Sequence, residues 1–121
     1  MVKQIKYSDL LGFVRANKRS FPYIYSQYKT IPNDMEYYII NKNSSILIGK
    51  DYGKIYLIFR LETNKNYRRL GYGRKLLNFL FRKKGKKLYL VTYLDESSKK
   101  FYQSLGFVEE FSSWHRMSRH K

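Results

Sequence analysis

The chain has 121 residues, 43% hydrophobic and 18% aromatic, with 13 Tyr and 8 Phe; this composition folds, and it suffices for one core but not two. No cysteine is present, which excludes disulfide frameworks, thiolate zinc sites and a cysteine nucleophile, and with His115 and His120 as the only histidines a histidine-rich metal centre or a Ser-His-Asp relay is not expected. A net charge of +16, from 25 Lys and Arg against 9 Asp and Glu, favours polyanionic partners, whether nucleotide cofactors, nucleic acids or acidic proteins.

In chain order, residues 2–6 suit a short first strand, and Ser8 or Asp9 is placed to cap a helix whose apolar stripe runs through Leu10, Leu11, Phe13 and Val14. The aromatic stretch from Ser20 to Pro32 has no clean period and reads as a loop with one helical turn. Tyr37–Asn41, Ser45–Gly49 and Lys54–Glu62, parted by turn formers, predict an antiparallel meander. Ile55 to Phe59 is apolar on both faces, which places the last of these strands at the centre of the sheet. A polar loop from Thr63 to Tyr67 leads to a glycine-containing turn, then to a helix with Leu76, Leu77 and Leu80 inward, ended by Gly85. Leu88–Tyr93 is a second continuous apolar strand, so strand, helix and strand form a parallel crossover. A second helix spans about Asp95 to Ser104. Phe107–Glu109 with Ser112–Met117 predict a final hairpin, and Arg119-His120-Lys121 reads as a frayed basic end. The whole reads as one α/β (α+β) domain over residues 1–121. No apolar run approaches the ~20 residues that span a bilayer, and the first residues carry no signal-peptide core, so the expectation is a cytoplasmic protein without membrane contact, monomer or homodimer.

Arg68-Arg69-Leu70-Gly71-Tyr72-Gly73 lies between an apolar strand and a helix, where glycines admit a close backbone approach and the helix N-terminus offers donors to a phosphate. Such a pair of glycines can equally serve a tight turn alone. No Gly-Lys-Ser/Thr follows and the spacing is not that of the dinucleotide fingerprint. The segment from Tyr67 to Leu77 resembles the acyl-CoA binding motif of the GCN5-related N-acetyltransferase (GNAT) superfamily, Arg or Gln followed by two residues, Gly, one residue, and Gly or Ala. Asp95 to Phe107 is similar to that superfamily's second motif, a small residue (Ser98) three before Phe101-Tyr102 and then Gly106-Phe107.

The resemblance implies a mixed central sheet flanked by helices, with a V-shaped splay between the two central parallel strands. It implies acetyl-CoA as acyl donor, no metal, and direct transfer to a primary amine on a protein or small molecule. Backbone groups of Arg69, Gly71, Gly73 and Arg74, with Arg68, Leu70 and Tyr72 in the same loop, would hold the pyrophosphate. Backbone around Leu61 to Thr63 would pair with pantetheine. Asp95 stands where many relatives have an Asn that contacts it. Tyr102 would protonate the departing thiolate, its phenol having an ordinary pKa of about 10; the alternative is a core aromatic. An alkyl amine is only ~0.04% neutral at pH 7, so attack needs desolvation or a base. Glu62 is the carboxylate of the central strand and the first candidate, set against a surface or ion-pair role, and Glu36 is the second. Trp114-His115-Arg116 would face the substrate or pack in the core. Arg82-Lys83-Lys84-Gly85-Lys86-Lys87 reads as a solvated helix end that could also meet the CoA 3'-phosphate or a nucleic-acid backbone. The alternative function is a basic nucleic-acid binding or tRNA-modifying protein on this fold, in which Tyr-rich residues 21–28 and Trp114 would supply stacking.

Overall fold

The computed structural model describes residues 1–41, 44–110 and 116–120. The elements are β1 (Val2–Ile5), α1 (Tyr7–Ala16), α2 (Pro22–Ser26), β2 (Glu36–Ile40), β3 (Ser45–Asp51), β4 (Ile55–Thr63), α3 (Tyr72–Lys84), β5 (Leu88–Thr92), α4 (Glu96–Gln103), β6 (Val108–Glu109) and β7 (Arg116–His120). The strands form one sheet in the order β1-β2-β3-β4-β5-β7-β6. All neighbours are antiparallel except β4 and β5, which pair in parallel and are joined through α3. The meander, the central place of β4 and the crossover therefore stand as the hydrophobic pattern predicts.

Each face of the sheet carries a core. On one side α3 and α4 bury Leu76, Leu77, Leu80, Phe81 and Tyr102 against Tyr38, Leu47, Tyr56, Ile58, Tyr89 and Val91. On the other, Leu10 and Val14 of α1, Phe21 and Ile24 pack on Tyr37, Ile46 and Ile48. Among the described residues, no helix is long and apolar enough to cross a membrane.

Several local expectations are corrected. α1 begins at Tyr7 after Lys6, with no side-chain cap, so Ser8 and Asp9 lie inside its first turn. The aromatic stretch holds α2, with Pro22 in its first turn, followed by a 3-10 turn at Tyr28–Thr30. Arg119 and His120 are not a frayed end but strand residues paired with Tyr89 and Leu88. The Arg119 guanidinium lies 4.0 Å from the Phe81 ring and donates from Nε to the Leu105 carbonyl at 2.7 Å. Ser112–His115, Trp114 among them, and Lys121 lie outside the described residues.

The basic run at the end of α3 is only partly solvated. Lys84 Nζ bridges Glu36 (2.7 Å) and Asp51 (3.1 Å), and Lys87 also pairs with Asp51 (3.2 Å). Glu36 further accepts the hydroxyls of Tyr38 (3.0 Å) and Tyr56 (2.9 Å), which ties β2, β4 and α3 together and removes Glu36 as a candidate base. Burial beside this carboxylate pushes both phenols above their usual range. A Cβ on Gly49 would stand 2.5 Å from the Tyr56 hydroxyl oxygen, so β3 needs glycine there for the ring to lie flat beneath it. Gly49→Ala is expected to cost about 2–3 kcal/mol as an overpacking change, and a melting temperature lowered by roughly 10 °C in a thermal unfolding experiment is the expected result; an unchanged melting temperature would contradict the packing.

Candidate functional site

β4 and β5 pair from Ile55↔Leu88 to Ile58↔Val91 and no further, although β4 runs on to Thr63. The cause is in β4. Ile48 pairs with Arg60 while Gly49 pairs with Ile58, so Phe59 is an extra residue, a bulge that bends the strand and ends the parallel ladder. From Leu61 to Thr63 the backbone bonds to β3 on one side and faces the gap on the other, and the Ser45 hydroxyl anchors this end through the Glu62 carbonyl at 3.1 Å.

The gap opens into a cavity of about 710 Å³. Leu61, Thr63, Phe101 and Tyr102 line it from the α3/α4 face, and Tyr23 and Glu62 from the α2 face, so it passes through the plane of the sheet. Arg68, Arg69, Gly71, Tyr72, Gly73 and Arg74 form one end, with Leu94, Asp95, Ser97 and Ser98 beside them. Of the residues expected to bind the cofactor or act in catalysis, Leu61, Glu62, Thr63, Arg68, Arg69, Gly71, Tyr72, Gly73, Arg74, Asp95, Ser98 and Tyr102 lie on this wall, whereas the Leu70 side chain is exposed, leaving only its backbone to contribute, and Gly106 and Phe107 of the second motif do not line it.

Two helix N-termini meet here and differ. α4 closes its own: the Asp95 carboxylate accepts the Ser98 N–H at 2.8 Å and the Ser98 hydroxyl accepts the Asp95 N–H at 3.1 Å, a capping box that holds Asp95 below its usual pKa. Asp95 and Ser98 are thus engaged with each other. At α3 no side chain takes the first N–H groups, which have no acceptor within a helix. Arg69 (φ 71) and Gly71 (φ 83) both adopt the left-handed region, a backbone conformation from which turns present successive N–H groups to an anion. Gly73 acts by its small size instead, because a Cβ there would meet Thr63 Oγ1 at 3.2 Å and Phe101 Cζ at 3.4 Å; glycine lets α3 start close against β4. Arg68, Arg69 and Arg74 are exposed on this wall, and among the described residues none pairs with a carboxylate. Open amides, three cations without an acidic partner and room for an extended ligand fit the phosphates and arm of coenzyme A. Among the described residues no cluster of three or more acidic or histidine side chains could hold a metal ion.

Glu62 is neither at the surface nor in an ion pair. It is 8% exposed, and its carboxylate accepts the N–H groups of Ile24 (2.8 Å) and Tyr23 (3.2 Å) at the start of α2. Burial pushes its pKa up, while the two N–H groups and the Arg68 charge pull against that shift. Tyr102 is 5% exposed, with its ring between Phe101 and Phe107 at 5.2 and 5.4 Å. Its hydroxyl borders the cavity and has no hydrogen-bond partner among the described residues; burial raises its pKa, so it stays protonated. Sequence reasoning missed Tyr23, Leu94 and Ser97 and gave Phe101 no role beyond its place in the motif; only Pro22, which marks the start of α2, hinted that Tyr23 would be held in a fixed place.

A family model described as an acetyltransferase (GNAT) domain matches residues 33–109. No curated protein matches the chain by sequence. Among solved structures, the ribosomal-protein-S18-alanine N-acetyltransferase of Escherichia coli superposes with a TM-score of 0.70 at 15% identity, covering 99% of this chain and 92% of that one. The PaiA N-acetyltransferase of Thermoplasma acidophilum, in complex with coenzyme A, gives 0.66 at 12% identity over 100% and 99%. Tetrahymena GCN5 gives 0.67 at 18% over 93% and 87%. These likenesses carry the fold.

Proposed function

Because the chain belongs to the GNAT acetyltransferase family, we propose that it transfers an acetyl group from acetyl-CoA directly to a primary amine. The observation that carries this reading is the uncapped N-terminus of α3, opening on the same cavity as a buried phenol without a partner among the described residues. Acetyl-CoA supplies the activated acyl group as a thioester. Arg68, Arg69 and Arg74, with the backbone amides from Arg69 to Arg74, hold its pyrophosphate. The free edge of Leu61–Thr63 aligns its amide arm by strand-like pairing. The wall of Leu61, Phe101 and Tyr102 keeps water from the thioester.

Glu62 serves as the base, receiving the proton of the acceptor ammonium directly or through one water. Two carboxylates line the cavity, and their surroundings push them apart: Asp95 is held low by its capping role, whereas Glu62 is raised by burial. Tyr102 donates its proton to the departing sulfur and regains one from the nitrogen of the collapsing intermediate, through water, while Glu62 releases the first ammonium proton to solvent, so that amide, CoA thiol and one proton are the net products. Burial raises the phenol, so it holds its proton until the sulfur departs. No cysteine is needed, because the acyl group never rests on the protein.

The aromatic segment that suggested nucleic-acid stacking uses its rings internally: Phe21 is in the core, Tyr25 and Tyr28 stack on each other at 5.3 Å, and Tyr23 lies under Arg60. This favours the enzyme over the nucleic-acid alternative.

The reading is tested by incubating the protein with acetyl-CoA and a panel of primary amines and following free thiol and acylated amine together. Thiol release matched by N-acetylated product is expected; thiol release without product would contradict amine transfer. Glu62→Gln should lower kcat by ~100-fold or more and remove the acid limb of the pH profile. In the wild-type enzyme that limb lies above the ordinary glutamate range, because the base must be ionised and its pKa is raised. The same shift has a stability consequence. The fold binds this proton more tightly than the unfolded chain does, so the Glu62 contribution is most favourable at acid pH and declines as pH rises through the raised value. An acid limb that persists in Glu62→Gln would remove Glu62 from the mechanism.

A further inference from the structure

The bulge at Phe59 places two consecutive side chains, Phe59 and Arg60, on the α2 face of the sheet. The Arg60 guanidinium folds back over the Phe59 ring at 4.2 Å and lies 5.4 Å from the Tyr23 ring, which itself lines the cavity. It donates from Nε to Gln27 Oε1 at 2.8 Å and from Nη1 to the Phe59 carbonyl at 2.7 Å. A guanidinium carries five N–H donors, and these two bonds leave the outer fork without an acceptor. Among the described residues no carboxylate pairs with it, although Glu62 stands two residues along on the same face; Glu62 is committed to the amides of α2. A half-buried, rigidly held cation with an open fork is suited to an anion from outside.

Its position decides which anion. The cradle at α3 receives the donor at one end of the cavity, so Tyr23 and Glu62, on the opposite face of the sheet, mark the acceptor side. We propose, resting on the acetyltransferase reading above, that Arg60 selects the acceptor by binding a carboxylate carried by the amine that is acetylated. Two residues of strand set the backbones of Arg60 and Glu62 roughly 7 Å apart, and the guanidinium folds back over Phe59 while the carboxylate turns to the start of α2, so the acceptor carries its carboxylate several bonds from its amine. An ω-amino acid satisfies this spacing, and so does a peptide N-terminus followed by an acidic side chain. The fixed rotamer lowers the entropy cost of binding. The competing role is a clamp that only holds α2 on β4.

Matched pairs separate the two: δ-aminovalerate against its amide, and the C-terminally amidated peptide Ala-Glu-Ala-Ala against Ala-Gln-Ala-Ala, each assayed with saturating acetyl-CoA. In the wild-type enzyme kcat/KM should favour the acid in at least one pair by about 10–100-fold, as expected for a hydrogen-bonded charge pair, and the difference should lie mainly in KM. Arg60→Gln should abolish that preference with the KM for acetyl-CoA unchanged, and Arg60→Lys should restore part of it. The responding pair identifies a small-molecule or a peptide acceptor. Equal treatment of acid and amide by the wild type, an equal loss for both in Arg60→Gln, or transfer to neither pair while acetyl-CoA still binds overturns the Arg60 assignment and leaves the acetyltransferase reading standing. Failure of the wild type to bind acetyl-CoA overturns that reading as well.

Discussion

Tyr102→Phe is expected to lower turnover ~100-fold or more, with the KM for acetyl-CoA little changed and stability unchanged. The combination follows from one hydroxyl. The ring is packed between Phe101 and Phe107, and phenylalanine keeps those contacts. The oxygen has no protein partner among the described residues and borders the cavity, so losing it breaks no hydrogen bond of the fold. Removing it therefore leaves the fold intact while removing the proton that the phenol supplies to the leaving sulfur. A tyrosine kept for structure gives the opposite pattern, a normal turnover. Measuring kcat and the melting temperature on the same variant decides between them, and unchanged turnover would leave water as the proton donor.

Gly71→Glu is expected to weaken acetyl-CoA binding by at least ~100-fold, the scale of like-charge juxtaposition in a desolvated site. A Cβ at Gly71 meets no protein atom within 4 Å and Gly71 lines the cavity, so a glutamate there has room to stand in the phosphate's place with the same sign of charge as the phosphate, repelling it. Its φ of 83° costs any other residue ~1–2 kcal/mol, and Gly71→Ala isolates that strain without the charge. Titration calorimetry should show Gly71→Ala retaining most of the affinity and Gly71→Glu losing it. Equal losses in the two variants would place the effect in the backbone. Gly73 is a poorer probe, since any side chain there presses on Thr63 and Phe101 and shifts the start of α3.

The parts of the site legible in the sequence are those whose chemistry is local. The α3 cradle is a run of adjacent residues with glycines at fixed offsets, and β4 and β5 announce themselves as continuous apolar runs; the Asp95–Ser98 capping box, though equally local, was read only as a motif and a pantetheine contact. The parts that were not legible depend on partners far along the chain. Glu62 looks like an ordinary strand-end carboxylate until α2 brings its amides from 38 and 39 residues away. Lys84 looks solvated until β2 and β3 supply Glu36 and Asp51. Arg119 looks like a terminal cation until β5 requires an edge partner and Phe81 offers its ring. Nor does any periodicity reveal the extra residue at Phe59, because the bulge shows only in the β3–β4 register; yet it opens the cavity and turns Arg60 toward α2.

The most direct test of the central claim is calorimetric titration of the wild-type chain with acetyl-CoA at near-physiological salt. One molecule bound per chain, with a dissociation constant on the order of micromolar to tens of micromolar and an affinity that falls in Gly71→Glu, is the predicted result. The absence of saturable heat up to about millimolar ligand would contradict it.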